Sequence, residues 1–330
     1  MTRSNVGAVV ILAISAVLFT SGVVRKISSP QGQDDARPLI AVIPKGTASM
    51  WWEVVRQGAE RASHELGYEM IWTGPEQETD REKQIQAVED SIAKRVVGIV
   101  LGPNDAQALV RPVEKIKTLG IPCVIIDSGI DAGPEAYASF AATDNFAGGA
   151  DGARRLAAAI NGRGNVIITK FVQNSASTDA RAEGFKQTLA REFPEIKVIA
   201  EQFTLGTVED GRQKTEDLLL RNKGQVDGLF AVNQPVSVGA YKAIQSLGLA
   251  GQVKMVGFDS DPVLLEGIER GEVAALIVQN PFEIGYQGVR LVVEAIANRP
   301  VPKAYPIPSM IVDRSNLAEM KQKFPAALGL

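Results

Sequence analysis

From Leu39 onward, short runs of aliphatic and β-branched residues alternate with amphipathic stretches, and this alternation limits the possible folds more than any other feature. Strand candidates are 39–43, 68–72, 96–101, 122–126, 137–141, 165–170, 197–203, 227–232, 254–258 and 273–278. Helix-like stretches lie among them at 80–94, 106–119, 145–160, 179–192, 208–221, 236–247 and 281–297. Several end on glycine, as at Gly67, Gly120 and Gly248, the residue that most readily turns left-handed after a helix. Strand–helix alternation is the pattern of parallel, doubly wound sheets. About ten strands exceed one comfortable sheet, so two α/β lobes of about five or six strands each are expected. A length of 330 residues agrees with two cores rather than one. Neither a Gly-x-Gly-x-x-Gly nor a Walker lysine motif is present, so the α/β pattern brings no nucleotide site with it.

Segment 6–24 is uncharged throughout, with Arg3 before it and Arg25-Lys26 after it. Its length suits the core of a signal peptide or a short membrane anchor, and it lacks the polar face of a surface helix. A clear small-x-small cleavage site is missing, although Thr20-Ser21-Gly22 is small, and no cysteine follows that could carry a lipid. Residues 1–36 are therefore expected to be a cleaved export signal or an uncleaved anchor, ending in a polar linker at 28–35. Both place residues 37–330 outside the cytoplasm. The formal net charge is -3, and the only charges before position 34 are Arg3, Arg25 and Lys26, so the remainder carries -6 (-3 less those three positive charges). An acidic body without a basic run argues against nucleic acid as a partner.

Cys123 is the only cysteine, which rules out a disulfide within the chain. It sits in a strand candidate and reads as a small apolar core residue. His64 is the only histidine and reads as a surface residue of the first helix; its solitude removes histidine triads and multi-histidine metal sites.

Trp51 and Trp52 stand side by side, one short loop after strand 39–43, and that loop contributes Lys45 and Ser49. In an α/β sheet, small ligands bind in the crevice beyond the carboxyl ends of the strands. An indole face accepts apolar C–H surface while lysine and serine hydrogen-bond polar atoms. That mixture suits a sugar. Trp51 shares helical spacing with Val55, Ala59, Ala62 and Leu66 and can instead be core. Core positions for both indoles are disfavoured, because adjacent helical residues point about 100° apart.

The other strand ends are also polar: Asn104-Asp105, Asp127-Ser128, the segment 171–177 with Arg181 in the helix beyond it, Asn233-Gln234, Asp259 and Gln279-Asn280. Singly, each reads as a cap for the following helix. Six such ends, with an aromatic pair and one arginine, read as a shared polar pocket.

In order and spacing, these residues resemble the periplasmic sugar-binding proteins of ABC transporters, of the ribose-binding type (type I periplasmic binding protein fold). The resemblance runs from Leu39 to Asp313. Ile40-Ala41-Val42-Ile43 through Trp51-Trp52 looks like the family's first strand and paired-aromatic loop. The strand Ile121-Pro122-Cys123-Val124-Ile125-Ile126-Asp127 is similar to its ligand-aspartate strand. Thr143-Asp144-Asn145 with Gly148-Gly149 resembles its first crossing between lobes. Arg181-Ala182-Glu183-Gly184-Phe185 matches an Arg-x-x-Gly-Phe motif, and Val256-Gly257-Phe258-Asp259 a Gly-Phe-Asp motif.

The resemblance implies two lobes joined by three crossings, 38–142 with 280–309 and 143–279 with 310–330, closing on a monosaccharide. It implies that Trp51 and Trp52 stack on the ring, that Asp127, Arg181, Asn233, Asp259 and Gln279 bond its hydroxyls, and that Lys45, Ser49 and Ser128 line the site. Ser128 stands where ribose binders carry a second arginine, Lys45 where they carry a small polar residue, and tryptophans replace phenylalanines. Those departures point toward a hexose, another pentose or a derivative rather than ribose. A membrane permease is the implied partner, a monomer the default state, and no cofactor, metal or catalytic residue is expected.

A membrane-anchored sensor of the same fold is the alternative, tethered by residues 6–24. A glycosidase using Asp127 and Asp259 would need one carboxyl with a raised pKa, and the arginine-containing pocket argues against it. A sugar-responsive repressor would need a helix-turn-helix before position 39, where the apolar segment lies.

Overall fold

Along strand β1 (Leu39–Ile43), Ile40 and Val42 turn to one face of a sheet and Ala41 and Ile43 to the other, and all four are fully buried. Burial of both faces is what a parallel sheet sandwiched between helices demands. The structure, a computed structural model, describes residues 37–330. The sheet continues through β2 (Glu69–Trp72), β3 (Gly98–Leu101), β4 (Cys123–Ile126) and β5 (Ser139–Thr143). Helices α1 (Met50–Leu66) and α9 (Pro281–Ile296) cover the Ile40 face, and α2 (Arg81–Ala93) and α3 (Val110–Thr118) the other.

The second sheet is built from β6 (Gly164–Lys170), β7 (Ile196–Phe203), β8 (Gly228–Ala231), β9 (Lys254–Phe258) and β10 (Val273–Val278). Against it pack α4 (Asn145–Ala159), α5 (Ala176–Glu192), α6 (Val208–Arg221), α7 (Gln234–Ser246), α8 (Pro262–Arg270) and α10 (Leu317–Lys323). Two edge strands complete the sheets, β11 (Ala304–Ile307) in the first and β12 (Met310–Val312) in the second. The strand orders are β11-β5-β4-β3-β1-β2 and β12-β10-β9-β8-β6-β7, the same arrangement twice. All pairings are parallel except β12 against β10. The chain passes between the sheets three times: at Asp144, at Gln279-Asn280 and at Pro308-Ser309.

Each lobe also repeats one packing device. A Cβ added at Gly58 of α1 would stand 2.0 Å from the Phe282 carbonyl oxygen, and one at Gly285 of α9 2.0 Å from that of Val55. In the second lobe, Gly149 of α4 faces the Arg181 carbonyl oxygen at 2.0 Å and Gly184 of α5 faces that of Phe146 at 2.1 Å. Any side chain at these positions would push the helices apart. The close contact of α4 with α5 seats α5, and with it Arg181, at the site.

Helix α3 starts at Val110 rather than near 106, because the Asp105 carboxylate accepts from the Gln107 and Ala108 N–H groups (2.9 and 2.8 Å) and holds a separate turn. Cys123 is free and buried, and burial pushes its thiol up to about 12; His64 is exposed. The export segment expected at 6–24 lies outside the described residues. Among the described residues, no helix is long and apolar enough to cross a membrane, and no cluster of three or more His, Cys, Asp or Glu side chains could hold a metal ion.

Candidate ligand-binding site

The carboxyl ends of both sheets open onto one shared cavity. Lys45, Ser49, Trp51, Trp52, Glu78 and Asp127 line it from the first lobe. Ser177, Thr178, Arg181, Asn233, Gln234, Pro235, Asp259 and Gln279 line it from the second. Nine of the ten residues expected at the site from sequence are therefore together. The tenth, Ser128, is fully buried and absent from the lining; its Oγ accepts the Ser177 N–H at 3.1 Å.

Two ion pairs frame the cavity. Lys45 Nζ lies 2.8 Å from Asp127 Oδ2, with both side chains about 5% exposed or less, and also donates to Ser177 Oγ at 2.9 Å. Arg181 sits 2% exposed on α5, its guanidinium 3.8 Å from the Phe258 ring centroid. Its Nε donates to Asn145 Oδ1 at 2.8 Å and its Nη1 to the Val232 carbonyl at 2.9 Å, with Asp259 Oδ2 at 3.7 Å. Burial lowers the Arg181 pKa, opposed by Asp259, Asp127 and Glu78. Burial raises that of Asp259 above the usual carboxylate range, opposed by Arg181 and by Gln279 Nε2, which donates to Oδ1 at 2.9 Å.

The indoles differ. Trp52 is 1% exposed, packs in the first lobe's core and donates from Nε1 to Glu78 Oε1 at 2.9 Å. Trp51 is half-buried and meets Trp52 edge-on, with ring centroids 4.8 Å apart and planes at 81°. The core member of the pair is thus Trp52, not Trp51. Ser49 caps α1, its Oγ accepting the Trp52 N–H at 3.4 Å.

Helix capping explains some polar strand ends and leaves others over. Asn280 accepts from the Glu283 N–H, and Asp105 closes its own turn. Asn233 stands at the N-cap of α7 without making a side-chain cap bond, and α8 is capped by Asp261 rather than Asp259. Asn233 Oδ1, Gln279 Oε1 and Trp51 Nε1 are buried and have no hydrogen-bond partner among the described residues. Buried polar atoms are normally satisfied, and leaving one bare costs about 1–3 kcal/mol. Three of them around one cavity mark it as built for a polar ligand.

Gln234 and, within segment 171–177, Ser177 stood among the polar strand ends named from sequence, whereas Glu78, Thr178 and Pro235 were not named. Glu78 follows β2, a further strand end, so its place beyond a carboxyl terminus was the available signal. Burial raises its pKa, opposed by Lys45 and by the Trp52 N–H, while Asp127 and Asp259 add to the rise.

A profile of the periplasmic binding protein domain matches residues 40–300. The chain belongs to that family. The D-allose-binding periplasmic protein of Escherichia coli K12 is 29% identical over 265 residues, covering 77% of this chain and 83% of that protein. The D-ribose/D-allose-binding protein of Pseudomonas aeruginosa is 27% identical over 306 residues, covering 90% and 92%. A crystal structure of a carbohydrate transporter solute-binding protein from Agrobacterium radiobacter, in complex with D-arabinose, superposes with a TM-score of 0.83 at 32% identity, covering 87% of this chain and 98% of that one. The two-lobed architecture expected from sequence is the fold this family member adopts.

Proposed function

We propose that this protein is the extracytoplasmic sugar-binding component of an ABC importer, that it performs no catalysis, and that it closes its lobes on a monosaccharide and passes it to a membrane permease. The moving bodies are 38–142 with 280–309 and 143–279 with 310–330. The observation that carries this reading is the set of three unsatisfied atoms, one N–H and two amide oxygens, around a cavity shared by both lobes. A hydroxyl both donates and accepts, so a ring bearing several can satisfy all three. The exposed part of Trp51 supplies a flat apolar surface beside them. The transport names of the relatives agree with a receptor. Contrary to the expectation from sequence, burial raises the Asp259 carboxyl despite Arg181. It meets the requirement for a raised carboxyl, but both its oxygens are engaged, by Gln279 Nε2 and the Gln234 N–H. Asp127 is held by Lys45, so neither is free to shuttle protons as a glycosidase acid must.

A melting scan of the full-length protein, dialysed free of co-purified sugar, against pentoses, hexoses, deoxy sugars and polyols tests the reading. A ligand at 100 times its Kd adds about 2.7 kcal/mol, raising Tm by roughly 4 °C for a protein of this size. One clear hit establishes the receptor and its sugar class. Silence across the panel removes the unmodified monosaccharides and points to a sugar derivative or a non-sugar ligand.

A further inference from the structure

A second polar chamber lies beside the ligand cavity, and Glu78 stands between them, lining both. Local structure fixes that partition. The loop carrying Glu78 lies on the β1–α1 loop, where the Thr47 and Ala48 N–H groups donate to the Pro75 and Glu76 carbonyls (3.0 and 3.2 Å). Trp52 Nε1 donates to Glu78 Oε1 from the first lobe's core. The close approach also needs Gly46, since a Cβ there would stand 2.9 Å from Glu78 Cγ.

Both lobes build the chamber, as they build the cavity. Thr79 and Asn104 line it from the first lobe, and Gln173, Gln202 and Thr204 from the second. Asn104 is 3% exposed and held from two sides: its N–H donates to Gln84 Oε1 (2.9 Å) and its Nδ2 to the Asp80 carbonyl (3.2 Å). Gln84 is itself fixed, because its Nε2 donates to the Pro44 and Gly102 carbonyls (2.8 and 2.7 Å) just beyond β1 and β3. That network leaves Asn104 Oδ1 buried with no hydrogen-bond partner among the described residues. Thr204, 4% exposed just after β7, accepts the Gly206 N–H on Oγ1 (3.2 Å), and its own O–H can still donate.

A buried acceptor held rigid and left bare is unusual in a wall that meets only solvent. Arg81 and Lys214 also line the chamber, but Arg81 is committed to Asp105 (2.6 Å), so no pair of cations is left to clamp an anionic group. The remaining amides and hydroxyls both donate and accept, which matches the hydroxyls of a sugar ring.

We infer that the ligand is a disaccharide, with one ring in the cavity beside Trp51 and a second, joined to it by a glycosidic bond, in the chamber beyond Glu78, where Asn104 Oδ1 accepts from one of its hydroxyls. This rests on the sugar-receptor reading and extends its ligand from a free monosaccharide to a linked pair.

Calorimetric titration of the full-length protein tests it. The probes are maltose, isomaltose, cellobiose, gentiobiose, lactose, melibiose and xylobiose, each against its constituents D-glucose, D-galactose or D-xylose. At least one disaccharide binds about tenfold or more tightly than either of its rings alone, the effect of satisfying one buried acceptor. Asn104→Leu loses that gain and leaves the affinity for the single ring unchanged. Gln202→Ala, at a partly exposed position of β7, makes the same comparison should Asn104→Leu fail to fold. Disaccharides that bind no more tightly than their constituent rings overturn the inference and leave the sugar receptor standing. Silence from all of them and from the wider monosaccharide panel overturns both.

Discussion

Asp127 and Asp259 are counterparts, each the first residue beyond the fourth strand of its sheet and each in left-handed backbone, with φ of 60° and 63°. Their N–H groups donate to the neighbouring strands, at the Ala141 carbonyl (3.1 Å) and the Ile277 carbonyl (2.8 Å). Few residues other than glycine tolerate that backbone region, and aspartate is one of them. The turn swings each carboxylate off the end of its strand toward a cation from another strand end or helix, Lys45 in one lobe and Arg181 in the other. A duplicated fold thus yields a duplicated acid–base pair, and the ligand cavity lies between the copies.

Removing one member of the Lys45–Asp127 pair strands a buried charge. Asp127→Asn is expected to cost about 3 kcal/mol in urea unfolding without sugar, because breaking one side of a buried pair costs about 3–5 kcal/mol and Ser177 still accepts from Lys45. Lys45→Met combined with Asp127→Leu removes both charges and is expected to recover most of that loss. Additive losses in the double variant would show that the pair has no coupling.

The two tryptophans are expected to separate cleanly. Trp52→Ala empties a core position at 1% exposure and loses the bond to Glu78, so it costs about 3–5 kcal/mol of stability. Trp51→Ala, at a half-buried cavity position, unfolds at a similar urea midpoint but binds sugar about tenfold more weakly, or about 1.4 kcal/mol. Undiminished affinity in Trp51→Ala would rule out stacking on that indole.

Most of the architecture was legible because central parallel strands, buried on both faces, are apolar runs that stand out between amphipathic helices. Of the four edge strands, β2 and β7 were legible and β11 and β12 were not. β12 is only three residues long, and β11 carries Pro306, tolerated because an edge strand leaves one row of N–H groups unpaired. Both come from the end of the chain and complete sheets whose other strands lie far away in sequence. At the site, residue type and strand-end position found nine lining residues. They could not separate the two indoles, since helical phase alone leaves either as the core member. Ser128 follows a strand end like the others, and only the packing of the Ser177 segment behind it turns its hydroxyl away from the cavity. Glu78 escaped because the loop after β2 carries several acidic residues, and Gly46 is what lets one of them approach.

Burial at Glu78 links stability to pH. Its folded pKa is raised, so the folded state holds a proton that the unfolded chain releases near pH 4.3. The contribution is present below that unfolded value and is lost as pH rises through the folded one. Surface carboxylates such as Glu53, held down by Arg56, act in the opposite sense, so a comparison isolates the effect. The Tm of the sugar-free wild type, minus that of Glu78→Gln, is expected to fall as pH is raised from about 4 toward 7. A flat difference would place the Glu78 carboxyl in contact with water.

Besides Asn145 Nδ2, which donates to the Asp127 carbonyl (3.4 Å) beside the first crossing, four hydrogen bonds join the lobes without a ligand, all through segment 174–177. The Ala106 N–H donates to the Asn174 carbonyl (3.0 Å), Asn174 Nδ2 to Asp105 Oδ2 (3.3 Å), the Ser177 N–H to Ser128 Oγ (3.1 Å) and Lys45 Nζ to Ser177 Oγ (2.9 Å). They favour the closed arrangement before a sugar contributes anything. Ser128→Ala leaves the buried Ser177 N–H bare in that arrangement but exposed to water once the lobes part, a difference of about 1–3 kcal/mol. The closed population of the sugar-free protein should fall by about fivefold or more, and apparent affinity with it, because binding is reduced by the competent fraction. Small-angle scattering without sugar should report a larger radius for Ser128→Ala than for the wild type, and saturating sugar should bring the two together. Equal radii and equal affinities would mean that the bond to Ser128 survives opening, with segment 174–177 travelling with the first lobe rather than the second.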